Sequence, residues 1–273
     1  MRSSVTVSLV AEARGGPFVF WDDLGGACLQ SARLGFDSIE VFPCGPDDPA
    51  LAFLPALLNQ HSLRLAAMGT GAGWVKHQLT LTHPDAEISQ RARSFVKGII
   101  DQAGALGASA IIGSMQGRTV TGGDRGSALA RLIDALDELG DYAARHGVPL
   151  LIEPLNRYET NLINTVQDGL DLLALLKTKN LKLLLDLFHM NIEEVSIPAA
   201  LRAAGSAIGH VHFVDTNRRA PGFGHMDYVP ILKALREVGY KGYLSAEVLP
   251  WPNSNEAAEQ TILKFKELVP SAV

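Results

Sequence analysis

Residues 148–154 read VPLLIEP, an apolar run that carries an acidic residue, Glu153, at its end. The same pattern recurs toward the C-terminus in LKLLLD (181–186), IGHVHFVD (208–215) and YLSAE (243–247). Continuous apolar runs of this length are typical of parallel strands that are covered on both faces. The second half of the chain therefore predicts parallel strands whose C-terminal ends carry carboxylates and histidine.

Strands of this kind alternate with amphipathic helices along the whole chain. The predicted strands cover residues 5–10, 38–42, 63–68, 108–112, 148–153, 181–186, 208–214 and 243–248. Helical periodicity is clearest over residues 84–103 and 126–146, and further helices are predicted at 24–34, 48–60, 166–176, 197–204, 229–238 and 255–268. Eight strand–helix units without a Pro- or Ser-rich linker predict an α/β fold, a single (β/α)8 TIM barrel, as one domain over residues 1–273.

The alternative α/β architecture is a doubly wound open sheet. That fold normally carries a glycine-rich phosphate loop directly after its first strand. The glycine-rich segment GTGAG, residues 69–73, follows the third predicted strand and lacks the required spacing. The pattern therefore favours the barrel.

Composition narrows the classes of partner. The formal net charge is −5, which does not favour a nucleic-acid partner. No run of 18 apolar residues occurs, so no transmembrane helix is expected. The two cysteines, Cys28 and Cys44, are too few for a disulfide framework and are interpreted as buried thiols. We expect a cytoplasmic protein with neither a nucleic-acid nor a membrane partner.

The chemistry is predicted at the ends of the last four strands. In a barrel these ends surround one mouth, where active sites lie. They carry three carboxylates and one imidazole, those of Glu153, Asp186, His212 and Glu247. His210 lies on the same face as His212 but farther from the mouth, so His212 is the better ligand candidate. Three adjacent carboxylates would repel one another unless a cation lies between them, and mixed oxygen and nitrogen ligands suit Mn²⁺, Mg²⁺, Co²⁺ or Zn²⁺.

Five short motifs carry a family resemblance. They are IEPLNRYET (152–160), DLFHMN (186–191), HFVDTNR (212–218), PGFGHMD (221–227) and SAE (245–247). These motifs resemble those of the ketose 3-epimerases in the xylose-isomerase-like sugar isomerase/epimerase superfamily. The resemblance is strongest to the branch with the D-tagatose/D-psicose 3-epimerases and the 5-keto-L-gluconate epimerase.

The resemblance assigns roles residue by residue. It implies one divalent metal ion per chain, held by Glu153, Asp186, His212 and Glu247. It implies that Glu153 and Glu247 are also the acid/base carboxylates. His189 and Arg218 match groups that contact substrate oxygens near the carbonyl, and Glu159 matches a residue that orients the catalytic glutamate and the substrate. It further implies a homodimer or homotetramer.

The implied reaction agrees with elementary chemistry. Inversion of a carbon next to a carbonyl removes a proton from one face and returns one to the other, so two proton carriers are needed. Glu153 and Glu247 lie on the fifth and eighth strands and can flank a sugar, while a metal stabilises the enediolate as a Lewis acid. We therefore expect a divalent-metal-dependent epimerase that inverts C3 of a ketose or keto-sugar acid.

Two other activities of the superfamily stay open. An aldose–ketose isomerase of sugars or sugar phosphates shares the metal and the barrel. An apurinic endonuclease would need additional histidines from strands three and four. Those strands end in MGT (68–70) and IGSMQ (112–116), without histidine, so the endonuclease is disfavoured.

Four further residues carry more general hypotheses. Glu40, at the end of the second strand, either makes structural hydrogen bonds or reaches into the mouth. Arg219, beside Arg218, is either a solvated charge or an anion site for a carboxylate or phosphate. Trp74 and Phe223 fall in predicted mouth loops and are candidates for the wall of a sugar pocket.

Overall fold

Eight parallel strands form a closed ring in the computed structural model, which describes residues 1–119 and 122–269. The strands are β1 Arg2–Ser8, β2 Ser38–Phe42, β3 Arg64–Gly69, β4 Ser109–Ile112, β5 Leu150–Ile152, β6 Leu181–Asp186, β7 Ile208–His212 and β8 Tyr243–Ala246. Each strand pairs with the next, and β1 also pairs with β8, which closes the ring. A two-residue strand, Phe20–Trp21, pairs with the C-terminal end of β1.

Helices cover the outside of this ring. They are α1 Leu24–Leu34, α2 Leu54–Gln60, α3 Ala72–Val75, α4 Ala86–Gly104, α5 Arg125–Ala144, α6 Val166–Leu175, α7 Leu187–Glu193, α8 Ile197–Ala204, α9 Tyr228–Glu237 and α10 Ser254–Leu268. The two short helices α3 and α7 lie in loops after β3 and β6, and the other eight follow the eight strands in turn. The predicted (β/α)8 TIM barrel is confirmed. The expected domain also includes residues 120–121 and 270–273, which lie outside the described residues.

Short polar side chains fix where the main helices begin. The Asp85 carboxylate accepts hydrogen bonds from the backbone N–H groups of Glu87 and Ile88 at the start of α4. Asp124 does the same for Gly126 and Ser127 at the start of α5. Such caps satisfy N–H groups that have no partner within the helix, and each is worth about 1 kcal/mol.

One predicted helix is divided. Residues 48–60 form a 3₁₀ helix, Pro49–Phe53, followed by α2. Pro55 falls at the start of α2, where its missing N–H costs nothing, whereas a continuous helix would place it in the interior. The chain therefore changes helix type just before this proline.

The barrel separates an apolar shell from a partly polar interior. Strand residues that point outward, such as Ile39 and Leu185, pack with the helices in one large hydrophobic core. Inside the ring, Ala67, Ile111, Leu151 and Leu184 form a small separate apolar cluster. The facing interior wall holds buried polar side chains instead: Ser4, Thr6, Ser38, Glu40, His210, His212 and Ser245.

The two cysteines differ in environment. Cys28 in α1 is buried as predicted, and burial raises the pKa of its thiol to about 11. The prediction was wrong for Cys44, which lies half-buried in the loop after β2. Its thiol donates a hydrogen bond to the carbonyl of Leu9 at 2.8 Å, so a loop-to-loop contact holds it at the edge of the core. No helix in the described ranges is long and apolar enough to cross a membrane.

Candidate active site

The four predicted metal ligands converge at one end of the barrel. Asp186 and His212 are the last residues of β6 and β7, and Glu153 and Glu247 come just after β5 and β8. From His212 Nδ1, the distances are 3.1 Å to Asp186 Oδ2, 3.5 Å to Glu153 Oε1 and 3.7 Å to Glu247 Oε2. All four side chains are buried, and their donor atoms lie within 4.8 Å of one another.

This donor set fits a divalent cation. Three carboxylates and one imidazole nitrogen are ligands that Mn²⁺, Mg²⁺, Co²⁺ and Zn²⁺ accept. Glu153 Oε1 is buried and has no hydrogen-bond partner within the described part of the chain. Such an atom costs stability unless something else satisfies it. Asp186 Oδ1 accepts hydrogen bonds from the N–H groups of Phe188 and His189, which leaves Oδ2 to face the cluster.

The pKa values of two of the carboxyls are raised. Burial raises the pKa of Glu153 to about 8, and the negative charges of Glu247 and Asp186 add to this shift. Burial also raises the pKa of Glu247 to about 7. The neighbouring His212 opposes both shifts without cancelling them. Raised pKa values of this kind suit groups that gain and lose a proton near neutral pH.

The pKa values of Asp186 and His212 shift toward the charged forms instead. Burial alone would raise the pKa of Asp186, but the nearby imidazoles of His189 and His212 hold it below its usual range. Burial alone would lower the pKa of His212, but Glu40 and Glu247 raise it well above its usual range. Asp186 thus favours its ionised form beside two carboxyls whose pKa values are raised.

A network of polar side chains joins the predicted substrate contacts. The Arg218 guanidinium donates to Glu247 Oε2 at 3.2 Å and to Glu159 Oε1 at 3.0 Å. It also lies over the ring of Phe188, 4.9 Å from the ring centre. Asn156 Nδ2 is 3.4 Å from Glu159 Oε1. The structure therefore brings Arg218 and Glu159 to the carboxylate of Glu247.

Asn156 also holds His189, the third predicted substrate contact. The backbone N–H of Asn156 lies 3.3 Å from His189 Nδ1, and the side-chain Nδ2 of Asn156 lies 2.7 Å from the same atom. Both groups are donors, so Nδ1 accepts and the proton lies on Nε2. His189 Nε2 is buried, 3.8 Å from Glu153 Oε1, without a hydrogen-bond partner among the described residues. His189 therefore presents an N–H donor to the site.

Three residues that position Glu153 or His189 were not predicted. Gln116 donates from Nε2 to the Glu153 carbonyl at 2.9 Å. At Gly113 an added Cβ would lie 2.7 Å from Glu153 Oε2, so only glycine leaves room for that carboxylate. Asn156 stands inside a motif that the sequence singled out, but an amide there carries no signal of its own. The contacts of Gln116 and Gly113 depend on strand neighbourhood, which the sequence does not display.

A cavity of about 570 Å³ opens above these groups. Its polar lining includes Glu153, Glu159, His189, Arg218 and Glu247, and its apolar walls include Phe18, Phe42, Trp74 and Leu155. Trp74 thus lies where it was expected, and the cavity is large enough for a monosaccharide.

Phe223 and Arg219 lie away from this cavity. Phe223 packs edge to face against Trp251, with ring centres 6.1 Å apart, and is not among the described lining residues. The Arg219 guanidinium lies over the same indole, 3.9 Å from the ring centre, and it does not line the cavity either. Both side chains pack on the exposed Trp251, which offers them an aromatic surface.

Comparison with known proteins agrees with the sequence motifs. A D-psicose 3-epimerase from Ruminiclostridium cellulolyticum is 33% identical over 228 residues, which are 79% of this chain and 75% of that protein. An L-ribulose 3-epimerase from Methylomonas sp. is 32% identical over 233 residues, which are 83% of this chain and 79% of that protein. The crystal structure of a D-psicose 3-epimerase with D-tagatose, from Clostridium cellulolyticum, has a TM-score of 0.79 and 26% identity over 100% of both chains.

The family itself is also matched directly. The sequence profile of the xylose isomerase-like TIM barrel family matches residues 28–268, which include every predicted site residue. The resemblance inferred from the strand-end motifs is thereby confirmed. The chain belongs to the xylose isomerase-like TIM barrel family.

Proposed function

We propose that this enzyme, a carbohydrate epimerase, depends on a divalent metal and inverts C3, next to the carbonyl, of a ketose or keto-sugar acid. One observation carries the proposal: Glu153 and Glu247 are two buried carboxyls of raised pKa that line one sugar-sized cavity. The names of the relatives, a D-psicose and an L-ribulose 3-epimerase, support the same reaction on a neutral ketose.

The two carboxyls approach the cavity from different sides. Glu153 follows β5 and Glu247 follows β8, with β6 and β7 between them in the ring. Each turns one oxygen toward His212 Nδ1 and keeps the other for a proton. A sugar bound between them would lose its C3 proton to one glutamate and receive a proton from the other.

The remaining polar groups bind and orient the substrate. Glu153, Asp186, His212 and Glu247 would hold the cation. When bound, a divalent cation supplies Lewis-acid polarisation of the substrate carbonyl. The N–H of His189 and the guanidinium of Arg218 donate hydrogen bonds where negative charge develops on oxygen, and Glu159 holds Arg218 in place.

Proton exchange tests the proposal. The Mn²⁺-loaded protein is incubated in D₂O with D-psicose, L-ribulose and a keto-sugar acid, and the products are followed by NMR. We expect deuterium at C3 together with the C3 epimer, and neither in Asp186→Asn. Formation of an aldose would assign an isomerase instead, and two or three metal ions per chain with cleavage of abasic DNA would assign the endonuclease. The expected homodimer or homotetramer and the cytoplasmic location stay predictions.

A further inference from the structure

A buried carboxylate lies behind the proposed metal centre. Glu40, in the middle of β2, has no exposed surface. Its Oε1 is 3.1 Å from His212 Nε2, and its Oε2 is 2.7 Å from His210 Nε2. Among the described residues no lysine or arginine pairs with it. Both oxygens of Glu40 are therefore committed to two imidazoles, which is how a buried carboxylate avoids being left without partners.

The three side chains meet across the barrel interior. His210 and His212 are two residues apart on β7, so both point to the inward face of that strand. β2 and β7 are not neighbours in the ring, because β1 and β8 lie between them on the shorter side. The two imidazole rings stand perpendicular, with centres 5.6 Å apart. Glu40 therefore ties the ring of His212 to the opposite wall of the barrel.

The two ring nitrogens of His212 therefore have different partners. Nε2 faces Glu40, while Nδ1 faces the oxygens of Asp186, Glu153 and Glu247. Histidine gives up the proton of one nitrogen when it binds a cation, and the resulting neutral imidazole has one donor and one acceptor nitrogen. A carboxylate at Nε2 keeps the proton there and leaves the lone pair of Nδ1 for a cation.

We propose that Glu40 is a positioning residue of the metal centre. It fixes the ring orientation and the tautomer of His212, and His210 holds the second oxygen of Glu40 in turn. This inference rests on the proposed function, because it requires that His212 bind the metal. Of the two hypotheses for Glu40, structural hydrogen bonding or a reach into the mouth, it favours hydrogen bonding, and this bonding orients a proposed metal ligand.

Metal affinity tests the inference without any turnover. Mn²⁺ is titrated calorimetrically into the metal-free parent, Glu40→Ala and Glu40→Gln. Loss of a carboxylate behind a histidine ligand typically weakens metal binding about 10- to 100-fold, which we expect for Glu40→Ala. Glu40→Gln keeps the volume and one acceptor oxygen, so its Kd should fall between those of the parent and Glu40→Ala. Glu40→Leu fills the space without an acceptor for the Nε2–H of His212, so a Kd as weak as that of Glu40→Ala would show that the hydrogen bond matters rather than the filled space.

A second readout follows the proton itself. In the diamagnetic Mg²⁺-loaded parent, His212 Nε2–H should give a downfield, slowly exchanging NMR signal, which Glu40→Ala should lose. Ser4→Ala is the matched control, because Ser4 is buried and its hydroxyl has no hydrogen-bond partner in the described part of the chain. It should keep both the signal and the parent Kd.

The outcomes separate this inference from the proposed function. If folded Glu40→Gln and Glu40→Ala both bind Mn²⁺ within twofold of the parent, Glu40 has only a structural role and the inference fails. Should Glu40→Ala not fold, the same criterion applies to Glu40→Gln alone. A parent that binds no Mn²⁺ would overturn the metal centre itself. Loss of binding in Asp186→Asn with parent-like binding in both Glu40 variants would overturn the role of Glu40 alone.

Discussion

Replacing Gly113 by alanine tests whether the placement of Glu153 limits turnover. Gly113 follows β4, the strand beside β5, and an added Cβ would lie 2.7 Å from Glu153 Oε2. Ordinary contact begins at 3.4 Å, so the carboxylate must withdraw by 3.4 − 2.7, or about 0.7 Å. Its other oxygen already lies 3.5 Å from His212 Nδ1 and 3.8 Å from His189 Nε2. The methyl group therefore disturbs both the metal side and the substrate side of Glu153.

The expected loss follows from this displacement. A misplacement of about 1 Å in a reacting group costs about 100-fold in rate. A shift of about 0.7 Å should therefore lower kcat by about 10- to 100-fold. The clash is with the end of a side chain beside a cavity, so we expect the protein to fold and its Tm to change little.

The assay compares two alanine variants at the same mouth. The kcat for C3 epimerisation is measured at saturating Mn²⁺ for the parent, Gly113→Ala and Gly71→Ala. Gly71 also lines the cavity, but its added Cβ would meet only Ser114 Oγ, at an ordinary 3.8 Å. The control should keep the parent kcat within twofold. A Gly113→Ala enzyme with parent kcat would refute the reasoning, because the position of Glu153 would then not matter.

Glu153→Gln and Glu247→Gln should each abolish net epimerisation, because inversion needs both proton carriers. Each metal-loaded variant should still exchange the C3 proton of one epimer in D₂O, and the two variants should act on different epimers. Exchange of the same epimer by both variants would mean that one base serves both faces. With a chelator present, the free energy of unfolding should decrease as the pH rises from about 4.5 to about 8. The raised pKa values of Glu153 and Glu247 make the folded protein bind more protons than the unfolded chain over this range. Urea unfolding that shows no dependence on pH would contradict this. Mn²⁺ at a hundredfold excess over Kd should stabilise the parent by about 2.7 kcal/mol but not Asp186→Asn, and equal rises in Tm would disprove that ligand. Arg218→Ala should lower kcat on every substrate, whereas Arg219→Ala, whose guanidinium lies on an indole outside the cavity, should spare neutral ketoses; equal losses would refute the distinction.

The convergence of the four proposed ligand positions could be predicted from the sequence. Acids and a histidine stand at the ends of four successive apolar runs, and a barrel gathers all such ends at one mouth. The sequence alone therefore predicts the strand-end positions of Glu153, Asp186, His212 and Glu247. Helix 48–60 was less predictable, because its two prolines permit either a continuous or a divided helix until the packing of α2 is known.

The sequence by itself determined the architecture and the chemical character of the mouth, because both follow from periodicity and from residue type at strand ends. Only the tertiary structure decided which groups control those residues. Three contacts join residues that are 33 to 172 positions apart in the sequence: Glu40 with His212, Gly113 with Glu153, and Asn156 with His189. Such contacts depend on ring closure and strand register, and these are set by the packing of the whole barrel rather than by any local pattern.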